Sequence, residues 1–549
     1  MAAGPATADS GSNLSAANTS FDSPTLPPDP QSDRLGWENG VWYNETLDIT
    51  ESDGLNESEL DAVVARTMAR VEHVRGLEFE RTPPVRLISP AQQRNETDEQ
   101  FAEVNATGRI TMNAQYEALM LINESTDAVG SQQALYGGGV SGYYQPSTGN
   151  ITMVSPSEER LQLQENVLSQ ELFHALQDQH FNLTGEYETI ERRNAKNGIV
   201  EGDANYVQYL YEQRCDGVWN GTCLLPETSE QESAETPANL NIGMVQLFLQ
   251  PYNSGLAFVR ERQQTRGWDA VDAVYEQPPM STEQTIHPQK YPSDEPTNLS
   301  VPDRSTDAWT PLVHDGERVT SSVGEAGLFV SLWFPGYETR GQESIIPVQS
   351  HINYNMTTRK PQEPVTYNYE HPLTSGWDGD VLVPYVSNSS ASNETGYVYE
   401  TAWDSAADAR EYRDGYQQLL EYHGAKSVDG RADTYRIPDS NAFGDAFHVA
   451  RNGSSVTIVN APTVDALSEV RQGAAPAVED PATDSPPSTT APSTVTDDAP
   501  DTKTNTTAET ASNETTTGGT GPGFGPVSAV VALTALFALF AVRSARRRR

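Results

Sequence analysis

The sequence predicts an α+β protein, and three observations carry that expectation. Apolar residues recur at helical spacing between recognisable caps over residues 56–76, two short strands flank a turn in "GYYQPSTGNITMV", and strands alternate with helices again over 372–472. At 549 residues the chain has room for two or three domains and ample apolar residues for a core.

In chain order, residues 1–34 are rich in Ser, Ala and Pro and predict a disordered N-terminal segment. The main folded domain is expected over 35–371. Its first helix lies in "NESELDAVVARTMARVEHVRG", where Asn56 and Glu59 have capping-box spacing, Leu60, Val63, Val64, Met68, Val71 and Val74 form one stripe, and Gly76 closes the helix. A strand follows at "PVRLIS". The nearby "DITESDGLNESEL" is not a calcium loop, because with Gly54 at the sixth position the twelfth falls on Leu60, where a bidentate Glu is required.

The strand pair ending near Val154 runs into a helix containing "NVLSQELFHALQDQHF". Gln170 and His174 are one turn apart on that helix and share a face, with Glu171 beside them. A second helix, "NGIVEGDANYVQYLYEQRC", carries Glu201. Together "ELFHALQDQHF" and "IVEGDANYV" resemble a gluzincin-type metallopeptidase core, and "PPMSTEQTIHPQKY", with Glu283 and His287, is similar to a segment that recurs in such proteins. The resemblance spans roughly residues 142–291. It implies a zincin-like core with Glu171 as general base and His174 and Glu201 as zinc ligands.

This sequence departs from that pattern at Gln170, which stands where the first ligand imidazole belongs. An amide oxygen is neutral and a poor zinc donor, so zinc is expected to be held weakly or lost. A degenerate, non-catalytic scaffold with a binding or envelope role is therefore favoured. The competing expectation is an active surface zinc metalloprotease with an atypical ligand set. His180, six residues past His174, points elsewhere on the helix. Glu283 and His287 read best as a structural pair, the alternative being that His287 reaches the metal site from its own segment, and Tyr206, Tyr209 and Trp333 read as core.

Residues 372–472 predict a small α+β module: strands at "GDVLVPYVS" and "TGYVYETAW", a helix capped by Asp404 or Ser405, a hairpin turning at Asn452-Gly453, and a short last helix. No phosphate loop, Ser-His-Asp pattern or Cys/His cluster marks it as a catalytic unit. Residues 473–521, Thr-, Pro- and acid-rich with few large apolar groups, predict an extended stalk.

The final segment, 522–549, decides localisation. From Val527 to Val542 it is apolar and uncharged, and Arg residues follow, an arrangement that predicts an apolar membrane helix with a cytoplasmic basic end. With Pro522, Gly523 and Phe524 before it, the tail resembles the PGF-CTERM sorting signals of haloarchaeal surface proteins. That resemblance implies cleavage by an archaeosortase and replacement of the helix by a lipid anchor. The first twenty residues lack a basic region followed by an apolar one, so export implies a true start upstream of Met1.

Composition agrees with an external, salty setting. Asp and Glu number 77 against 35 Lys and Arg, for a net charge of -42. Such self-repulsion is tolerated where concentrated salt shortens electrostatic range, and the absence of a basic stripe in the ectodomain excludes nucleic acid as a partner. Cys215 and Cys223, the only cysteines, are spaced to close a short disulfide loop, and Asn-x-Ser/Thr sequons such as Asn298, Asn355 and Asn452 suit a glycosylated surface.

Overall fold

Local sequence chemistry sets the first long helix. In the computed structural model, which describes residues 30, 32–49, 54–155, 162–185, 189–225, 240–389, 394–478 and 528–530, helix α1 (Glu57–Arg75) follows a short hairpin of β1 (Trp37–Glu38) and β2 (Val41–Trp42). The Asn56 side chain accepts the Glu59 N–H, the Glu59 carboxylate accepts the Asn56 N–H, and Gly76 at φ 79° ends the helix.

A small sheet comes next, made of β3 (Val85–Ile88), β4 (Gly142–Gln145) and β5 (Asn150–Val154), with α2 (Pro90–Ala102), α3 (Ala106–Ala118) and α4 (Ala128–Gly139) inserted between β3 and β4. Strand β5 pairs parallel with β3 and antiparallel with β4. Helix α5 (Glu165–Phe181) then packs on α1 and this sheet, α6 (Ile190–Cys215) packs on α5 and α1, and Val63, Met68, Val167, Leu172, Ala204 and Val207 share one core. Helix α7 (Ile242–Gln250) passes through a π-helical turn, Pro251–Gly255, into α8 (Leu256–Arg266), followed by α9 (Asp269–Glu276) and α10 (Thr282–Ile286).

The second sheet has seven antiparallel strands. After β6 (Trp309–Pro311), the hairpin of β7 (Val313–His314) and β8 (Glu317–Arg318), and α11 (Gly324–Glu338), the chain forms β9 (Trp377–Ser387) and β10 (Thr395–Trp403). Helix α12 (Ala406–Tyr422), β11 (Lys426–Ser427), β12 (Thr434–Arg436), β13 (Ala446–Asn452), β14 (Ser455–Ala461) and α13 (Val464–Val470) complete the unit. The sheet order is β11-β12-β13-β14-β10-β9-β6, which draws β6 in from before residue 372. Ser405 caps α12, as the sequence allowed, and the expected hairpin turn between β13 and β14 lies one residue further on, at Gly453-Ser454, with Asn452 still paired with Ser455. Residues 473–478, expected to begin the stalk, still pack on this unit: Ala474 and Ala475 are buried, and Val478 N–H donates to the Gly430 carbonyl.

The α+β class is therefore observed. The expected apolar C-terminal helix is not found at Ser528–Val530: these residues form β15, antiparallel to the outer edge of β4 with Val530 opposite Gly142. An open strand edge offers unpaired N–H and C=O groups, and a short apolar stretch outside lipid satisfies them as readily as it forms a helix. Among the described residues no helix is long and apolar enough to cross a membrane. Pro522, Gly523 and Phe524 lie outside the described residues, as do nearly all of 1–34 and most of the stalk.

Candidate metal centre

The four residues singled out on α5 and α6 come together in the interior. Gln170, Glu171, His174 and Glu201 are at most 3% exposed. His174 Nε2 faces Glu201 Oε2 at 3.3 Å, yet neither atom makes a hydrogen bond. Gln170 Nε2 and both Glu171 oxygens are also without partners. Buried polar atoms are nearly always paired, so five such atoms in one place mark a site built for something other than packing.

The orientation of His174 is determined two residues deep. Gln177 Nε2 donates to the Val200 carbonyl at 2.9 Å and to the Tyr275 hydroxyl at 2.5 Å. Its Oε1 is thereby the acceptor that faces His174 Nδ1 at 2.8 Å, and the Nδ1 position carries the proton. Tyr275 in turn donates to Asp203, which is paired with buried Arg75. The neutral imidazole then directs its Nε2 lone pair at a carboxylate oxygen, a repulsive confrontation that only a cation relieves, whether a proton on Nε2 or a metal ion between the two. Tetrahedral zinc with bonds of about 2.0–2.2 Å separates two donors by about 3.3–3.6 Å, and the observed 3.3 Å lies at the short end of that range. The donor atoms fit a divalent ion at these two positions, and an imidazole held through its other nitrogen is the usual support for a metal ligand.

Glu171 lies against β4, where a Cβ at Gly142 would approach its Cγ to 3.2 Å. Burial, and secondarily the Glu201 charge, push its carboxyl well above the ordinary range. The sequence did not disclose Tyr252. Its hydroxyl hydrogen-bonds to Glu201 and feels the charge of Glu171. Close helix packing brings it there: a Cβ on Gly202 would fall 2.3 Å from the Gly255 carbonyl carbon, and one on Gly255 would fall 2.1 Å from the Gly198 oxygen. The signal available in the sequence was the small-residue spacing of Gly198 and Gly202 opposite "PYNSG".

The other expected residues are accounted for elsewhere. Cys215 and Cys223 form a disulfide. His180 Nε2 meets the Glu78 carbonyl, away from the centre. His287 Nε2 contacts Glu325 at 3.0 Å rather than the α5 site, so it does not complete the ligand set. Among the described residues one group of three acids, Glu283, Asp294 and Asp404, is close enough to share an ion. The Lys290 ammonium already lies among them, at 2.6, 3.0 and 2.9 Å. A fixed cation thus answers those charges, and a metal there would have to displace it.

A further buried acid contributes to the pH response. Glu191 accepts the Thr282 N–H and hydroxyl through one oxygen, and burial, with contributions from Asp380 and Glu325, pushes its carboxyl from 4.5 up to about 8. The folded chain then keeps a proton that the unfolded chain releases, so this contribution is complete below pH 4.5 and is lost as pH rises to about 8. Unfolding free energy in concentrated salt is expected to fall across that window by up to about 1.4 kcal/mol per pH unit from this group. Denaturant titrations of wild type and Glu191→Gln check it, the variant showing the shallower slope.

Residues 310–471 match a family model described as a domain of unknown function (DUF8575). The match covers the second sheet and its helices and leaves the α5–α6 centre outside. No curated protein and no solved structure matched the chain.

Proposed function

We propose that this chain is a glycosylated cell-surface protein, anchored at the outer face of the membrane, whose α5–α6 pair retains a degenerate metallopeptidase-type metal centre used for binding or envelope architecture rather than hydrolysis. The observation that carries the metal reading is the His174–Glu201 confrontation at 3.3 Å, with Gln177 holding the imidazole from behind. A divalent ion at this centre would be held by His174 and Glu201, and when bound it would supply a Lewis acid and positive charge that the buried carboxylates otherwise lack. Gln170 weakens that site, and Glu171 has no solvent exposure of its own.

The surface reading rests on the acidic surface charge, the disulfide between Cys215 and Cys223, the sequons and the tail. The membrane, through the C-terminal segment or a lipid anchor, and an archaeosortase acting at Pro522-Gly523-Phe524 are its expected partners, and haloarchaeal proteins with such tails are its expected kin. One observation favours the catalytic alternative: Glu171 presents two unpartnered oxygens beside the candidate ligands, the place of a general base. Casein cleavage in concentrated salt with added zinc separates the two readings. The proposal predicts none from either wild type or Glu171→Gln; cleavage by wild type that Glu171→Gln abolishes would establish the protease instead.

A further inference from the structure

We infer that Tyr252 supplies the third donor of this centre, its phenolate oxygen standing in for the imidazole that Gln170 does not provide. The site would then hold a divalent transition-metal ion through one nitrogen and two oxygens: His174 Nε2, Glu201 Oε2 and Tyr252 Oη. This rests on the metal reading above and names the ligand set that reading leaves incomplete.

Three observations converge on Tyr252. Its hydroxyl is hydrogen-bonded to Glu201, the same carboxylate whose Oε2 opens toward His174 Nε2. Its position is built rather than incidental: the π-helical turn Pro251–Gly255 lies in backbone contact with Gly198 and Gly202, which bracket Glu201 on α6, and an extra residue in a helical turn re-aims the side chains around it. Third, among the described residues no additional His, Cys, Asp or Glu joins His174 and Glu201 in a three-donor group. A third protein donor is therefore of another type, and Tyr252 is already in hydrogen-bond contact with one of the two ligands.

Charge favours the phenolate over the Gln170 amide. A divalent ion with neutral His174, one carboxylate and a neutral amide leaves a net positive charge in a site only a few per cent exposed. Exchanging the amide for a phenolate cancels it. On binding, the Tyr252 O–H bond gives its proton to buffer as the metal–oxygen bond forms, and no electron is transferred.

The test uses the full chain purified in detergent and concentrated salt, titrated with copper(II) as the probe. Phenolate bound to copper(II) gives a visible charge-transfer band that carboxylate, amide and imidazole ligands do not. Wild type is expected to develop that band up to one equivalent. Tyr252→Phe, which removes one oxygen and keeps the ring, is expected to lose the band and to bind at least ~10-fold more weakly. Gln170→His/Tyr252→Phe is expected to recover tight binding without the band, which also shows that the Phe variant folds. One equivalent of copper in wild type with no band, or with affinity unchanged in Tyr252→Phe, would overturn the Tyr252 assignment while leaving the metal centre standing. Binding in Gln170→His but not in wild type would do the same. No saturable binding in either would overturn both.

Discussion

Glu165→Ala is expected to destabilise the fold by about 3–5 kcal/mol, the cost of leaving a buried charge without its counter-charge. Glu165 opens α5 and is fully buried. Its carboxylate meets Arg66 at 3.1 Å and Arg70 at 2.8 Å, both arginines at most 1% exposed. The same two oxygens accept the Tyr211 hydroxyl and the Leu224 N–H. Arg66 and Arg70 also hold the disulfide loop, donating to the carbonyls of Thr222 and Asn220. One carboxylate therefore ties α1, α5, α6 and the Cys215–Cys223 loop together. Because the pair is buried, concentrated salt will not mask its loss. A chemical denaturation midpoint read by circular dichroism checks this, and a loss under about 1 kcal/mol would show that the arginines find other partners.

Gly202→Ala should act at the metal centre and on stability together. Its Cβ would enter the space of the Gly255 backbone, 2.3 Å from the carbonyl carbon and 2.4 Å from the oxygen. Backbone cannot swing aside as a flexible side chain does, so the cost belongs at the upper end of the ~1–3 kcal/mol typical of overpacking. The π-helical turn is pushed off α6, and Tyr252 moves away from Glu201. Denaturation gives the stability loss. Copper titration gives the second effect, a weaker phenolate band in Gly202→Ala even under conditions where the variant is folded.

Much of the local structure was legible because local chemistry decides it. Asn56 with Glu59, Gly76 after α1, and Gly453 in the turn between β13 and β14 act within a few residues and were visible in the chain. The α5 motif was legible for the same reason, since positions 170, 171 and 174 share a turn whatever the rest of the fold does. What escaped is tertiary. Arg66 lies opposite the apolar stripe of α1, the place of a solvated residue, yet it, Arg70 and Arg75 are all buried, because acids from α5 and α6 pair with them. Gln177, Tyr252 and Tyr275 are single polar residues whose meaning arises only when α6, α9 and the π-helical turn converge on His174. Strand β6, three residues ending in proline, carries too little pattern to announce its pairing with β9.

The central claim is that α5 and α6 form a metal centre weakened at one residue. Its most direct test is zinc per chain, and zinc affinity, for wild type and Gln170→His purified side by side in concentrated salt. The account predicts one saturable zinc per chain in both, with Gln170→His binding at least ~10-fold tighter because an imidazole replaces an amide at the first ligand place. No saturable zinc in Gln170→His would contradict it, and the His174–Glu201 contact would then be a proton-bridged structural pair.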